Sequence, residues 1–346
     1  LPQDLVYVAL IESGFSAHAY SRAAAVGFWQ FIRGTGLRYK LRISRDVDER
    51  RDFEKSTHAA ARYLKDLYAR FGDWHLAMAG YNAGEGKIER AIRRHGSRDY
   101  WKLIQYSYLR KETKNYIPKF QAAALIANNP EKYGFKQLDY KKPYEYEKVT
   151  IKKRPIDLRI AAKLSKTKYQ ELETLNPELN RWYTPPRRSS YTLRVPKGSA
   201  DNFKKKYASL PSYKHMADKT YKVKEGDSLD GIAKKHDLPL DFLAMANGLS
   251  EKGSLKTGKK LGIPSKPPAG MRKYLGHYEG RNGKRIRHKV RSGDSLWKIA
   301  RRYRVKLRDL KKWNRGRVGK YLKPGQTLYV YSNAPSKKSK SFMRTL

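Results

Sequence analysis

Residues 221–264 (YKVKEGDSLDGIAKKHDLPLDFLAMANGLSEKGSLKTGKKLGIP) lie over residues 288–331 (HKVRSGDSLWKIARRYRVKLRDLKKWNRGRVGKYLKPGQTLYVY) at one constant offset of 67 positions, without a gap. Val223 meets Val290, Gly226 to Leu229 meet Gly293 to Leu296, and Ile232 and Ala233 meet Ile299 and Ala300. Leu243, Asn247, Gly258 and Leu261 then meet Leu310, Asn314, Gly325 and Leu328. A repeat this regular implies two copies of one small unit. Each copy opens on alternating strand residues, turns at Gly-Asp and runs through two short amphipathic segments. It ends in a second alternating strand after a Thr-Gly or Pro-Gly turn, which predicts a β-α-α-β module. A degraded third copy is expected at 147–197, where IDLRIAAKLSKTKYQELETLNPELN keeps the helices and the Leu175-Asn176 pair, and YTLRVP supplies a last strand. It lacks the Gly-Asp-Ser turn. Residues 265–287 read as a basic Pro/Gly-rich linker and 332–346 as a disordered basic tail.

The first 140 residues have a different character. FEKSTHAAARYLKDLYARF places Phe53, Ala60, Ala61, Leu64, Leu67 and Phe71 close to helical spacing and stops at Gly72. WHLAMAGYNAGEGKIERAI reads as helix broken by AGYNAG, and NYIPKFQAAALIANNPEKYG as helix closing at Asn128, Asn129 and Pro130. The expected fold class is therefore multidomain: an all-helical domain over 1–140, followed by α+β modules of the βααβ kind.

Composition narrows the function. The 346 residues contain no cysteine, which removes disulfide frameworks, thiolate metal sites and cysteine nucleophiles. No apolar run approaches the ~20 residues of a membrane span. The net charge is +45 and uneven: residues 1–140 hold 24 Lys and Arg against 15 Asp and Glu, and the remainder 53 against 17. An anionic partner is implied, and the second half meets most of it. The basic residues are spread through linkers, module faces and tail without a nucleic-acid motif, so no specific nucleic-acid partner is expected. The eight histidines show no H-E-x-x-H spacing, and no phosphate loop or dinucleotide fingerprint occurs; neither metal nor cofactor is expected.

One carboxylate stands out. In ALIESGF, Glu12 follows directly on Leu10 and Ile11. A lone Glu after an apolar run is usually a helix-end carboxylate reaching solvent. Here it is followed by Ser13-Gly14, then by AVGFWQF at 25–31, AGYNAG at 79–84 and ETKNYI at 112–117. In order and content these segments resemble the soluble-lytic-transglycosylase-like, goose-lysozyme-related glycosidases that cut peptidoglycan. The pairing with C-terminal repeats resembles the membrane-bound lytic murein transglycosylase D type, whose repeats are LysM modules. Gly80 stands where that family usually has Ala, Phe28 where it has Leu, and Arg33-Gly34 where Pro-Ala is common.

The resemblance implies a lysozyme-like catalytic domain with Glu12 as catalytic acid and base. A Glu near its usual pKa of about 4.3 is ionised at neutral pH, so an acid role needs desolvation; Ile11, Phe15, Trp29 and Tyr116 are the candidate wall. Most glycosidases use two carboxylates. Asp46, Asp48 and Glu49 sit in a charged stretch, and Glu85 is the best rival. The family resolves this by substrate assistance: the 2-acetamido group of N-acetylmuramic acid supports the developing charge, and the C6 hydroxyl of the same sugar attacks C1. Ser13 is expected to hydrogen-bond near the Glu12 carboxyl. Gln30 and Asn82 carry amides suited to acetamido and hydroxyl groups, and Tyr81 and Tyr116 suit stacking on a sugar or positioning an oxygen. Trp29 reads as core.

In the repeats, resemblance to LysM implies recognition of N-acetylglucosamine-containing chains by Gly226, Asp227, Ser228 and Asn247, and by Gly293, Asp294, Ser295 and Asn314. Asp and Ser are also expected to cap the following helix. The expected partners are peptidoglycan glycan strands, with a membrane anchor upstream of Leu1 left open, and the expected state is a monomer in the bacterial envelope, periplasmic or outer-membrane-associated. Hydrolysis of the same bond by water, and wall binding without catalysis, remain alternatives.

Overall fold

The computed structural model describes residues 1–138, 140, 142–152, 154–186, 189–217, 219–251, 253–265, 284–303, 305, 307–314, 322 and 324–332. The chain divides into two compact units, Leu1–Met216 and Ala217–Leu346. Most of the expected linker and nearly all of the expected tail lie outside the described residues.

In the first unit, eight short helices precede the degraded repeat: α1 (Tyr7–Ser13), α2 (Arg33–Arg38), α3 (Phe53–Phe71), α4 (Trp74–Ala83), α5 (Glu85–His95), α6 (Tyr100–Leu103), α7 (Lys111–Lys114) and α8 (Tyr116–Asn128). The longest, α3, has the expected bounds. Asp52 caps it by accepting from the Lys55 amide, and Gly72 ends it in the left-handed conformation. Its buried stripe is shifted from the expected one. Ala59 and Tyr63 join Ala60, Leu64, Leu67 and Phe71, whereas Phe53 and Ala61 are only half-buried. The core of this part gathers Val8, Leu64, Leu67, Leu76, Ile88 and Ile117. AGYNAG does not break its helix as expected: Tyr81 and Asn82 complete the last turn of α4, and the chain turns only at Gly84. Gly80 is explained by close packing, since a Cβ there would lie 3.0 Å from the Phe71 ring and 3.2 Å from Leu67.

The degraded repeat is a complete module: β1 (Tyr146–Lys152), α9 (Leu158–Leu164), α10 (Tyr169–Leu175) and β2 (Ser190–Pro196). The strands pair antiparallel with Val149 opposite Leu193. It extends beyond the expected end at 197, because α11 (Ala200–Ser209) packs Phe203 into the same core. The i, i+4 pair Phe203 and Tyr207 in NFKKKY was the available signal. This module is part of the first unit. Asp48 N donates to Glu178 O at 2.8 Å, Asn180 N donates to Asp46 O at 3.0 Å, and Val47 enters the module's core.

The second unit holds the two regular repeats. One is β3 (Lys219–Lys222), α12 (Leu229–Lys235), α13 (Leu240–Asn247) and β4 (Lys260–Ile263). The other is β5 (Lys284–Lys289), α14 (Leu296–Arg302), α15 (Leu307–Trp313) and β6 (Thr327–Ser332). Each pair of strands is antiparallel. Strand β5 starts four residues before the expected boundary at 288, so the expected linker is correspondingly shorter. No described helix is long and apolar enough to cross a membrane.

Candidate active site

Glu12 sits in the last turn of α1, which Gly14 closes in the left-handed conformation. Helix α1 packs on α8, and the first residue of α8, Tyr116, reaches back across 104 positions of sequence. Its hydroxyl donates to Glu12 Oε1 at 2.7 Å, and the ring is 5% exposed. Burial pushes the Glu12 carboxyl above its ordinary pKa; the Tyr116 hydrogen bond opposes this and nearby Glu112 adds to it. Of the expected desolvating wall, Trp29 and Tyr116 are buried and Ile11 half-buried, while Phe15 is 42% exposed.

The rival carboxylates are committed elsewhere. Asp48 is buried against Arg50 at 2.7 Å, and Glu49 pairs with Lys55 and accepts from the Arg42 amide. Glu85 accepts from Arg38 and from the Tyr63 hydroxyl, and the Arg38 hydrogen bond is the main cause that holds it down at about 2. Such a group stays an anion at any working pH. It cannot donate a proton.

The GFWQF segment forms a tight loop beside α1. Ser13 does not hydrogen-bond Glu12 as expected: its hydroxyl donates to Phe28 O at 2.8 Å, so it anchors this loop. Trp29 is buried and donates to Thr57 Oγ1 at 2.9 Å, the core role expected. Gln30 has a left-handed backbone (φ 46°), and its amide NH₂ donates to Gly27 O at 2.9 Å, which leaves its carbonyl oxygen as the group suited to a ligand. Arg50 holds the loop from below through Ala24 O and Phe31 O, both at 3.1 Å. At Gly27 the chain is so close that a Cβ would stand 1.9 Å from Arg50 O. Gly27→Ala is therefore expected to cost about 3 kcal/mol or more and to remove activity with it, read as a fall in the midpoint of thermal unfolding. An unfolding midpoint equal to that of the parent would show that the loop has room to shift.

Tyr81 is also placed differently from expectation. Its ring packs against Phe31 and Tyr63, and its hydroxyl donates to Trp29 O at 2.7 Å. It braces the loop beside the site, and its ring is half-buried. Asn82, next in sequence, is half-buried and accepts from Thr113 Oγ1 at 3.0 Å. Thr113 was not singled out from sequence, although it lies inside the ETKNYI segment.

The repeat residues divide by role. Ser228 and Ser295 cap α12 and α14, accepting from the Gly231 and Lys298 amides. Asp227 and Asp294 are not helix caps: each accepts from the amide three residues earlier and from the first strand, Asp227 from Tyr221 Oη and Asp294 from His288 Nε2. Gly226 and Gly293 are exposed at the turn, with φ of 77° and 78°. Asn247 and Asn314 are not placed for ligand contact as expected. They are 6% and 0% exposed and staple the second helix to the last strand. Asn247 donates to Leu243 O and Gly262 O and accepts from Gly262 N; Asn314 does the same with Leu310 O, Tyr329 O and Tyr329 N. Asn176 repeats the pattern in the degraded module. Replacing Asn247 by Leu leaves strand groups unsatisfied in a small core and is expected to cost at least about 2 kcal/mol. Hydrogen exchange on β4 measures it; unchanged protection there would contradict the stapling role.

A half-buried, tyrosine-held glutamic acid on a helical domain joined to βααβ modules is the build of a modular lytic transglycosylase, and the comparisons agree. Residues 1–104 match the family profile described as Transglycosylase SLT domain. Residues 145–212 match the one described as Lytic transglycosylase MltD, LysM-like domain, and residues 221–264 and 288–330 match LysM domain. The soluble lytic transglycosylase SLT70 of Escherichia coli is a structural match at TM-score 0.32 and 23% identity, covering 39% of this chain and 22% of that one. The membrane-bound lytic murein transglycosylase D of Escherichia coli K12 is 32% identical over 351 residues, 96% of this chain and 74% of that protein. Its namesake from the O6:H1 strain gives the same figures. The chain belongs to the membrane-bound lytic murein transglycosylase D family.

Proposed function

We propose that this chain cleaves the β-1,4 bond between N-acetylmuramic acid and N-acetylglucosamine in peptidoglycan and closes the muramyl end as a 1,6-anhydro ring. The observation that supports it most is the Glu12 carboxyl, raised above its ordinary pKa by burial and held by Tyr116, while Asp48, Glu49 and Glu85 are bound in ion pairs. In its acid form Glu12 donates a proton to the glycosidic oxygen as the C1–O bond breaks, so the leaving sugar departs as an alcohol. Tyr116 then stabilises the new carboxylate through its hydrogen bond. The same carboxylate accepts the proton of the C6 hydroxyl as that oxygen bonds to C1. No water is consumed, and Glu12 ends protonated. Because the nucleophile is tethered to the reacting sugar, its effective concentration reaches ~10⁵ M in favourable cases, which makes a second carboxylate unnecessary.

The exposed turns around Gly226 and Gly293 are the surfaces through which the two regular modules hold N-acetylated glycan. The positive charge of the second half suits the anionic peptides and polymers of a bacterial envelope, where such an enzyme works. Mass spectrometry of products from purified peptidoglycan tests this reading. Anhydromuramyl ends from the parent protein, lost in Glu12→Gln, are expected. Reducing ends would make the reaction hydrolysis, and no products from either would leave a wall-binding protein.

A further inference from the structure

In the degraded module the connection between α10 and β2 is tied down twice. Its later part seals the turn that precedes α9. Trp182 O accepts from Leu158 N at 2.8 Å, Thr184 N donates to Ile156 O at 3.0 Å, and Ile156 N donates to Thr184 Oγ1 at 3.0 Å. His215 O accepts from Asp157 N at 2.9 Å. Ile156, Asp157, Tyr183 and Thr184 are all buried. Asp157 stands immediately before its helix as Ser228 and Ser295 stand before theirs, and in those repeats the turn is exposed at Gly226 and Gly293. The module's own chain covers the surface that the regular repeats leave open.

The earlier part of the connection grips the helical domain. Asp48 N donates to Glu178 O, Asn180 N to Asp46 O, and Arg51 Nη1 to Asn180 Oδ1 at 3.2 Å, while Val47 bridges to Leu179. From this strap the contacts continue to the site. Asp48 holds Arg50 with both oxygens, Oδ1 accepting from Nε at 2.9 Å and Oδ2 from Nη2 at 2.7 Å. Arg50 Nη1 donates to Ala24 O and Phe31 O, which bracket the GFWQF segment. That segment takes the Ser13 hydroxyl at Phe28 O and the Tyr81 hydroxyl at Trp29 O. Ala24 and Gln30 have left-handed backbones (φ 61° and 46°), a strain that persists only where the surroundings hold it. Resting on the function proposed above, we infer that the degraded module supports the active site instead of forming a third glycan surface. Asp48 and Arg50 are the positioning residues through which it holds the GFWQF loop against the helix of Glu12.

Arg50→Lys keeps the charge but cannot hold the carboxylate and both carbonyls at once. It is expected to lower kcat by roughly 10- to 100-fold, since a misplacement of about 1 Å can cost 10²-fold. A loosened loop also admits water beside Glu12, so its raised pKa falls and activity is lost at lower pH than in the parent. Residues 24–31 carry no titratable group, and the groups that face Glu12 lie on other elements: Glu112 on α7, Tyr116 and Lys119 on α8, Tyr81 on α4. The shift therefore reports solvation. Val47→Ala trims the strap within the module's core and is expected to move the pH profile in the same direction. Val149→Ala trims the same core on β1, outside the strap, and is expected to lower the unfolding midpoint while kcat and the pH profile stay those of the parent. Added oligomers of N-acetylglucosamine are expected to displace the amide resonances at Gly226 and Gly293 and to leave those of Ile156 and Asp157 unmoved. An Arg50→Lys with the parent's pH profile, a Val149→Ala that shifts it as far as Val47→Ala, or displaced resonances at Ile156 and Asp157 would overturn the inference. If Glu12→Gln keeps full activity, the proposed function fails instead.

Discussion

Glu12→Gln is expected to slow bond cleavage by about 10²–10⁴-fold, the range over which a positioned general acid acts, while glycan binding by the full chain persists. The amide keeps the shape of the acid and still accepts from Tyr116, so the site stays assembled. What it loses is the transferable proton. The pH dependence of the parent has a defined sign. Cleavage begins from the acid form, and burial raises the Glu12 pKa, so activity falls as pH rises through that raised value. Stability follows the same linkage. A carboxyl whose folded pKa exceeds its unfolded value contributes stability that is fully present below the unfolded value and is lost as pH rises through the folded one. The Gln variant escapes this loss and is expected to be at least as stable as the parent above neutral pH. A thermal scan and an initial-rate series at several pH values check both statements. An active Glu12→Gln, or a less stable one at pH 8, contradicts them.

Arg194→Ala is expected to cost about 3–5 kcal/mol at pH 8, the usual penalty for stripping the partner from buried charges. Arg194 is buried in β2 and ties the degraded module to the helical domain. Its Nη2 donates to Asp52 Oδ1 and Glu54 Oε2, both at 2.8 Å, and its Nη1 lies 3.5 Å from Glu178 Oε2. The guanidinium also sits 4.5 Å above the centre of the Phe53 ring. Without it, Asp52 and Glu178, 1% and 2% exposed, share an almost dry site; Asp52 keeps only Lys55 as a counter-charge, at 3.7 Å. Asp52 also caps α3, so the damage reaches the core helix.

The deficit depends on pH in a definite direction. Burial, with Asp52 beside it, already pushes Glu178 up to about 7, against the opposing pull of Arg194 and the Tyr191 hydrogen bond. Glu178 therefore stabilises the fold fully below the ordinary carboxylate range, and that contribution disappears as pH rises through about 7. In Arg194→Ala the orphaned Glu178 takes up a proton more readily still, so the deficit should shrink at pH 5 relative to pH 8. Glu178→Gln in the parent is expected to raise stability at pH 8 by about 2 kcal/mol, since the glutamine carries no buried charge. Denaturant unfolding at the two pH values measures both variants. A deficit under 1 kcal/mol at pH 8 for Arg194→Ala would mean that the module is held by its backbone hydrogen bonds and core alone.

These two cases mark the limits of what the sequence discloses. The α3 helix and the βααβ units were legible because their signals are local: a 3.6-residue stripe ended by Gly72, a repeat whose buried positions recur at one offset in the two regular copies, and the same helix pattern with its Leu-Asn pair in the degraded one. Glu12 and Tyr116 were legible through motif resemblance. The roles of Ser13, Tyr81, Asn247 and Asn314 were not, since each is a polar residue whose partner is a backbone group set only by the folded geometry. A hydroxyl that anchors a loop and one that touches a ligand look alike in a sequence. Arg194 was illegible for a different reason: its partners Asp52 and Glu54 lie 142 and 140 positions away. In a chain with 77 Lys and Arg, nothing local marks Arg194 as one that is buried.

In the proposed reaction the sugar's own C6 hydroxyl, not water, completes what Glu12 begins. Digestion of purified peptidoglycan in ¹⁸O-labelled water, followed by mass analysis of the muramyl ends, tests it most directly. Anhydro ends that are lighter than hydrolytic ends by one water and carry no label are expected. Reducing ends carrying one ¹⁸O atom would contradict it.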